Sequence, residues 1–245
     1  MFAYFQRIRE ILSQVEEQEA TSLAQAVEIL SEAIKKKQAI FVFGASHAGI
    51  LAEELFYRAG GLVSINPIFG RELMLDTRPI SATSRMERLV GYGQLLAKKT
   101  PFKAGDLLIV HSVSGRNPVA VDLALAAKEK GVYVMALTNL TYSLATKSRH
   151  PSGQRLCDVA DLVLDNHGHI GDGACQLPGI EQPVGPSSTV IGACILNHLV
   201  VEVSRNLAQS GLSPVPIFYS ANLDGGDDKN RQIYETYREA IHYDL

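Results

Sequence analysis

The 245-residue sequence predicts an α/β fold, a three-layer α-β-α sandwich around a mainly parallel sheet. Short, continuous apolar runs alternate with helical segments through the middle of the chain. Strands joined by helices in this way lie parallel, and the connecting helices cover both faces of the sheet. The apolar runs also lack the alternation of a half-exposed strand, which is typical of strands buried on both faces.

The first 37 residues predict two helices that precede this core. Apolar residues recur at helical spacing from Phe2 to Val15, and the pattern returns from Leu23 to Ile34 after a short break. The spacing predicts two amphipathic N-terminal helices. Their apolar faces need to be covered, either by the core or by a second copy of the chain. We therefore expect a homodimer or a dimer of dimers.

Residues 38–210 carry the alternating pattern of the core. The predicted strands are AIFVFG from Ala39, LVSINP from Leu62, LLIV from Leu107, VYVMALTN from Val132 and LVLDN up to Asn166. A long apolar helix from about Ser187 to Gln209 follows them. Residues 211–245 form a C-terminal extension. No low-complexity linker divides the chain, so we expect one domain over residues 1–245.

Composition argues against several classes of function. The net charge is −3 and no basic stripe is present, so we expect no nucleic-acid partner. Charged residues interrupt the apolar positions at the N-terminus, and no later apolar run is long enough for a bilayer, so we expect a cytoplasmic protein without a membrane partner. The cysteines Cys157, Cys175 and Cys194 show no CxxC spacing and are expected to be small buried residues.

Three loops rich in small or hydroxyl residues follow predicted strands or begin predicted helices. They are Gly44-Ala45-Ser46-His47-Ala48-Gly49, Ser112-Val113-Ser114-Gly115-Arg116-Asn117, and Ser187-Ser188-Thr189. Parallel sheets bind ligands at the carboxyl ends of their strands, where helix N-termini present free N–H groups to an anion. Before the third loop lies a glycine- and proline-rich stretch, residues 167–185, which predicts a lid or a mobile loop.

Each loop also has a purely structural interpretation. Small residues such as Gly44 and Ser46 can simply allow a helix to approach a strand closely. A serine turn with an N-cap explains Ser114 and Asn117, but it leaves the hydroxyl of Ser112 unexplained, and this favours a phosphate ligand. In the third loop, N-capping accounts for one hydroxyl and leaves two for a ligand.

Taken together, the motifs SVSGRNP, GASHAG, ADLVLD and GPSST resemble the SIS fold of sugar isomerases and related regulators, over roughly residues 20 to 210. The whole chain is similar to a bacterial group of phosphoheptose isomerase-like SIS proteins. The resemblance implies a flavodoxin-like sheet and a phosphosugar site. It places Ser112, Ser114 and Asn117 on the phosphate, Gly44 and Ser46 near the sugar, and Ser187 to Thr189 at the pocket wall. Asn117 stands where Ser or Thr is more usual.

Aldose–ketose isomerisation needs a base that moves a proton between adjacent carbons and a second group that shuttles hydroxyl protons. Only one of Glu53 and Glu54 can face the pocket, and the family resemblance favours Glu54, although both could be solvated helix charges. His47 is the predicted acid–base partner because imidazole titrates near neutral pH. Glu72 is a further acid whose position the sequence does not fix.

Alternatives stay open at this point. A non-catalytic phosphosugar sensor would use the same loops, and so would an etherase or deaminase acting on an amino-sugar phosphate. His167, His169 and Asp172 resemble a metal site, but a glycine-rich loop enforces no ligand geometry, so we expect no metal and no cofactor, although some related heptose isomerases use zinc. His111 and His198 are expected to be core histidines.

Overall fold

The computed structural model describes residues 2–245 and contains the predicted parallel sheet. Its strands are β1 (Ile40–Gly44), β2 (Ile65–Pro67), β3 (Leu107–His111), β4 (Tyr133–Thr138) and β5 (Leu162–Asp165). They are ordered β2-β1-β3-β4-β5, and every neighbouring pair is parallel. This is the strand order of doubly wound, flavodoxin-like sheets, and it confirms the predicted fold class.

The helices cover both faces of the sheet. They are α1 (Ala3–Gln18), α2 (Ala20–Lys35), α3 (Ile50–Leu55), α4 (Ser81–Glu87), α5 (Tyr92–Lys99), α6 (Pro118–Glu129), α7 (Leu140–Leu144), α8 (Leu156–Val159), α9 (Ser188–Gln209) and α10 (Gly226–Thr236). The two predicted N-terminal helices are therefore present. Helix α2 packs against α9 on one face, and α5 packs against α6 on the other.

Alternate residues of each strand point to two separate apolar cores. In β1, Ile40 and Val42 join the core that contains α1, α2 and α9, whereas Phe41 and Phe43 join the core that contains α5 and α6. All four side chains are at most 2 % exposed. The continuous apolar runs of the sequence are thus explained, because both faces of the sheet are buried.

The stretch predicted as a lid or a mobile loop contains an antiparallel hairpin, β6 (Gly173–Cys175) and β7 (Val184–Pro186). Strand β6 lies beside α1, and the hydroxyl of Tyr4 donates to the carbonyl of Pro186 at 2.7 Å. At the other end of the sheet, the C-terminal extension packs beside β2. There the hydroxyl of Tyr243 donates to the carbonyl of Val63 at 2.6 Å. The extension thus covers a sheet edge that would otherwise be open.

Two expectations about burial were wrong. Cys194 is exposed and Cys157 and Cys175 are half-buried, so the cysteines are not core residues. His198 is also exposed, because it lies on the outer side of α9. Helix α9 is long and apolar enough to cross a bilayer by length and composition, but the side that carries Ile191 packs in the core. His111 is buried, as expected.

Candidate functional site

The strand order places a crevice between the loops that follow β1 and β3. Gly44 and His111 end these strands and are paired in register, and from there the chain runs from β1 toward β2 and from β3 toward β4, in opposite directions along the sheet. Such a switch point is where open α/β sheets bind ligands. A cleft of about 310 Å³ lies there, and we term it the switch-point cleft. It is lined by Ala45, Ser46, His47, Ala48, Glu87, His111, Ser112, Val113, Ser114, Asn117, Val119, Ala120, Tyr142, Gly171 and Asp172.

The loop after β3, residues 112–117, contributes Ser112, Ser114 and Asn117 to this cleft, and we term it the serine loop. Neither serine hydroxyl hydrogen-bonds to a partner within residues 2–245; the contact of Ser112 with Thr138 uses its backbone carbonyl. Gly115 adopts a φ of 60° and turns the chain toward α6. The serine loop thus brings two hydroxyls and the N-terminus of a twelve-residue helix to one space, an arrangement suited to an anion.

Asn117 occupies the N-cap position of α6, but its side chain makes no capping bond. Its Nδ2 donates instead to Glu87 Oε2 at 2.7 Å, and its Oδ1 accepts from Arg149 Nη1 at 2.9 Å. The amide therefore faces two charged groups beside the cleft. The local N-cap interpretation consequently does not account for this side chain.

The loop after β1 supplies Ser46 and His47. Ser46 has a φ of 52°, and its hydroxyl donates to Glu87 Oε1 at 2.5 Å. His47 is exposed at the cleft wall. A Cβ on Gly44 would lie 2.2 Å from the carbonyl oxygen of Ala48, so this glycine is required by the close approach of the loop to the strand end.

Glu87 is the residue that connects the two loops, and sequence reasoning missed it. It ends α4, and its two carboxylate oxygens accept from Ser46 and Asn117, so one carboxylate bridges the first loop and the serine loop inside the cleft. The segment MERLVG around it has neither a motif nor a strand before it. No local signal could therefore have identified Glu87.

The side chains of Glu54 and Glu53 lie in different surroundings, and neither lines the switch-point cleft. Glu54 forms an ion pair with Arg58 and accepts from Asn197 Nδ2 at 3.0 Å, so its carboxylate is turned toward α9 and away from the cleft. Glu53, one residue earlier on α3, points about 100° away. It lines a neighbouring cavity of about 320 Å³ that shares Ser46 with the switch-point cleft.

Glu72 is placed outside the switch-point cleft. It is exposed and accepts from the hydroxyl of Tyr92 at 2.5 Å, and this hydrogen bond lowers the pKa of the Glu72 carboxyl. Tyr142, by contrast, lines the cleft, and no sequence motif pointed to it.

The third predicted loop is occupied by a carboxylate of the chain itself. Asp172 Oδ1 accepts from the backbone N–H groups of Ser187 and Ser188, and Asp172 Oδ2 accepts from the Ser188 hydroxyl at 2.7 Å. The Ser187 hydroxyl also lies 3.4 Å from Asp172, and Thr189 does not line the cleft. The expectation that two of these hydroxyls are free for a ligand is therefore corrected: Asp172 holds the start of α9.

His111 lies at the base of the cleft and is 1 % exposed. Its Nδ1 is 3.0 Å from the carbonyl oxygen of Ala48, and its buried Nε2 has no hydrogen-bond partner within residues 2–245. Burial lowers the pKa of the imidazole, so the neutral form is favoured. Because a carbonyl only accepts, Nδ1 carries the proton, and the free lone pair is on Nε2.

The histidines of the glycine-rich stretch are used in contacts with α1 and the α1–α2 junction. His167 Nε2 lies 3.1 Å from Glu19 Oε1, and His169 Nε2 accepts from Arg7 Nε at 3.0 Å. The adjacent guanidinium disfavours a metal cation on His169. Within residues 2–245, no group of three or more His, Cys, Asp or Glu side chains is arranged to hold a metal ion.

Comparison with known proteins agrees with this architecture. The SIS domain model matches residues 3–139, and a UPF0309 protein of Shouchella clausii is 49% identical over 98% of this chain and 97% of its own length. The chain belongs to the SIS domain family. A UPF0309 protein of Oceanobacillus iheyensis is 46% identical to this SIS protein, over 99% of this chain and 98% of its own.

The structure is also similar to that of a phosphoheptose isomerase from Francisella tularensis, with a TM-score of 0.53 and 15% sequence identity. The similarity covers 82% of this SIS protein and 95% of the isomerase. At this identity the similarity shows the shared fold, while function has to be argued from the site.

Proposed function

We propose that this SIS protein binds a sugar phosphate in the switch-point cleft and interconverts its aldose and ketose forms. The observation that carries the proposal is the meeting of the serine loop and Glu87 in one cleft. Ser112, Ser114 and the N-terminus of α6 provide donors for a phosphate, and Glu87 and His47 face the same space. The matched domain and the name of the Francisella relative support the same ligand class.

In the proposed reaction, the phosphate is held by the serine loop, and the sugar carbons extend toward the first loop. A carboxylate base removes the proton from the carbon beside the carbonyl and returns it to the neighbouring carbon of the enediol. Glu87 is a carboxylate that lines the cleft, and the two hydrogen bonds from Ser46 and Asn117 fix its position. His47 then relays a proton between the two oxygens.

Glu54 remains the alternative base that the family resemblance suggested, and a matched pair of variants separates the two carboxylates. Glu87→Gln and Glu54→Gln are assayed for interconversion of hexose, pentose and heptose phosphates, with aldose and ketose separated by chromatography. Loss of a general base typically lowers turnover about 10²–10⁴-fold. We expect that loss for Glu87→Gln and less than about tenfold for Glu54→Gln. The reverse order would transfer the role to Glu54.

The same experiment separates the other candidate functions. Binding of sugar phosphates by wild-type protein without any turnover would make the protein a phosphosugar sensor. Release of an alcohol or of ammonia from an amino-sugar phosphate would make it an etherase or a deaminase, because the same base would serve that chemistry. Absence of binding by any sugar phosphate would contradict the proposal as a whole.

We also propose that the protein is a cytoplasmic homodimer or a dimer of dimers. An apolar groove lies between α1, α2 and α9, lined by Leu12, Val15, Leu23, Val27 and Ile195 among others. Phe2 and Val201, on the same helical layer, are 79% and 54% exposed. Covering this face would remove substantial apolar area from water. Light scattering coupled to gel filtration gives the assembly mass directly.

A further inference from the structure

Three arginines are grouped at the outer side of the serine loop. Arg116 belongs to the loop itself, Arg88 directly follows Glu87, and Arg149 lies on the segment before α8. Arg149 Nη1 donates to Asn117 Oδ1 at 2.9 Å. None of the three guanidinium groups lies within 4.0 Å of a carboxylate oxygen within residues 2–245. The three arginines do not line the cleft themselves; they neighbour the lining residues Glu87 and Asn117 and give this side of the cleft an excess of positive charge.

Backbone contacts hold two of these arginines side by side. The N–H of Arg149 donates to the carbonyl of Arg116 at 2.9 Å, and the N–H of Leu156 donates to the carbonyl of Gly115 at 2.8 Å. The segment 149–156 therefore runs beside the serine loop and is tied to it at two points. The position of Arg149 next to Arg116 is consequently built into the fold.

A buried hydrogen bond to α6 also fixes this segment. The ring of His150 places Nε2 3.0 Å from Asp122 Oδ1, and the carboxyl of Asp122 on α6 is fully buried. The same carboxyl accepts from the N–H of Gly91 at 2.6 Å. Because Arg149 directly precedes His150, this contact fixes the backbone of Arg149, and the hydrogen bond to Asn117 places its guanidinium.

The arginine group is unfavourable by itself. Burial, and to a smaller extent the positive charges of Arg116 and Arg88, lower the pKa of Arg149 below its ordinary value. The Nε of Arg116 is buried and has no hydrogen-bond partner within residues 2–245. A buried donor without a partner costs free energy, and the guanidinium fork is suited to bidentate contact with carboxylate or phosphate.

We propose that the sugar phosphate bound in the switch-point cleft carries a second anionic group, a carboxylate or a second phosphate, which Arg88, Arg116 and Arg149 bind. The proposal rests on the proposed phosphosugar site. The hydroxyls of the serine loop and the start of α6 already suit one phosphate. Two carboxylates, Glu87 and Asp172, line the cleft, so the three arginines still leave a net positive charge for a second anion.

The test compares each sugar phosphate with a derivative of the same sugar that carries one more acid. Glucose 6-phosphate is paired with glucose 1,6-bisphosphate and with 6-phosphogluconate, fructose 6-phosphate with fructose 1,6-bisphosphate, and N-acetylglucosamine 6-phosphate with its carboxyalkyl ethers. Calorimetry gives the affinity ratio within each pair for wild type, Arg149→Gln, Arg88→Gln and the control Arg231→Gln. Arg231 is an exposed arginine on α10 whose loss removes the same charge away from the cleft.

A charge-assisted hydrogen bond contributes enough for about a tenfold to hundredfold change in affinity. We expect wild type and Arg231→Gln to bind at least one doubly anionic derivative about tenfold more tightly than its parent. Arg149→Gln is expected to bring that ratio close to one and to weaken the parent by no more than about threefold. The member of the panel that shows the ratio identifies the second group as carboxylate or phosphate.

Two outcomes overturn the inference. One is a wild-type protein that binds singly phosphorylated sugars and prefers no doubly anionic derivative in the panel. The other is a variant that weakens parent and derivative equally, because the arginines would then serve only the shared phosphate. Failure of the proposed function is a different result, in which no sugar phosphate binds wild type at all.

Discussion

The serine loop and the start of α9 look alike in sequence and differ in structure. Ser112 and Ser114 precede α6, which begins at Pro118, and Ser187 and Ser188 stand at the start of α9. The hydroxyls of Ser112 and Ser114 face the switch-point cleft, whereas the Ser188 hydroxyl and two backbone N–H groups at α9 are satisfied by Asp172. A serine-rich helix start is therefore a candidate anion site only where no carboxylate of the chain already accepts from it.

The largest expected effect tests this difference directly. Replacing both Ser112 and Ser114 by Ala should weaken sugar-phosphate binding about 100-fold, since each hydroxyl lost from a charged acceptor costs about 1.5 kcal/mol. Ser188→Ala should change the affinity by less than about threefold, because its hydroxyl bonds Asp172. Titration calorimetry measures both. Equal losses in the two variants would show that α9 also contacts the ligand and would remove the distinction.

A second, smaller effect concerns the stability of α9. Asp172→Asn keeps the side-chain shape but removes the negative charge at the N-terminus of α9. It also replaces the oxygen that accepts from the Ser188 hydroxyl by an amide nitrogen, which cannot accept. We expect the free energy of unfolding to fall by about 1–2 kcal/mol, as for other N-terminal capping groups. Urea unfolding measures the loss, with Asp224→Asn, at an exposed position in the C-terminal extension, as the control. An unchanged stability would mean that the start of α9 does not depend on Asp172.

The same two regions show what the sequence could predict. The fold and the loops at the strand ends were predictable because apolar runs, helical spacing and helix starts are local signals, and the carboxyl ends of parallel strands meet at one edge. The contacts of Glu87 with Ser46 and Asn117, and of Asp172 with α9, join positions 15 to 41 residues apart. No local sequence pattern predicts such pairs, and none predicts that the side chain of Glu54 turns toward Asn197.

The smallest expected effect concerns His111, which precedes the serine loop at the base of the cleft. Burial lowers its pKa from the ordinary value of 6.5. Below that pH the imidazole of His111 is protonated more often in the unfolded chain than in the folded protein. The free energy of unfolding therefore falls as pH falls, by at most about 1.4 kcal/mol per pH unit. Above it, both states are neutral and this contribution is constant.

His111→Gln keeps a donor for the carbonyl of Ala48 but does not titrate. Its free energy of unfolding should therefore depend less on pH between about 6.5 and 5 than that of wild type. The exposed His198→Gln should follow wild type. Urea unfolding at several pH values gives the slopes. If the free energy of unfolding of His111→Gln depends on pH as steeply as that of wild type, the pH dependence comes from other groups. Folding would then not favour the neutral form of His111.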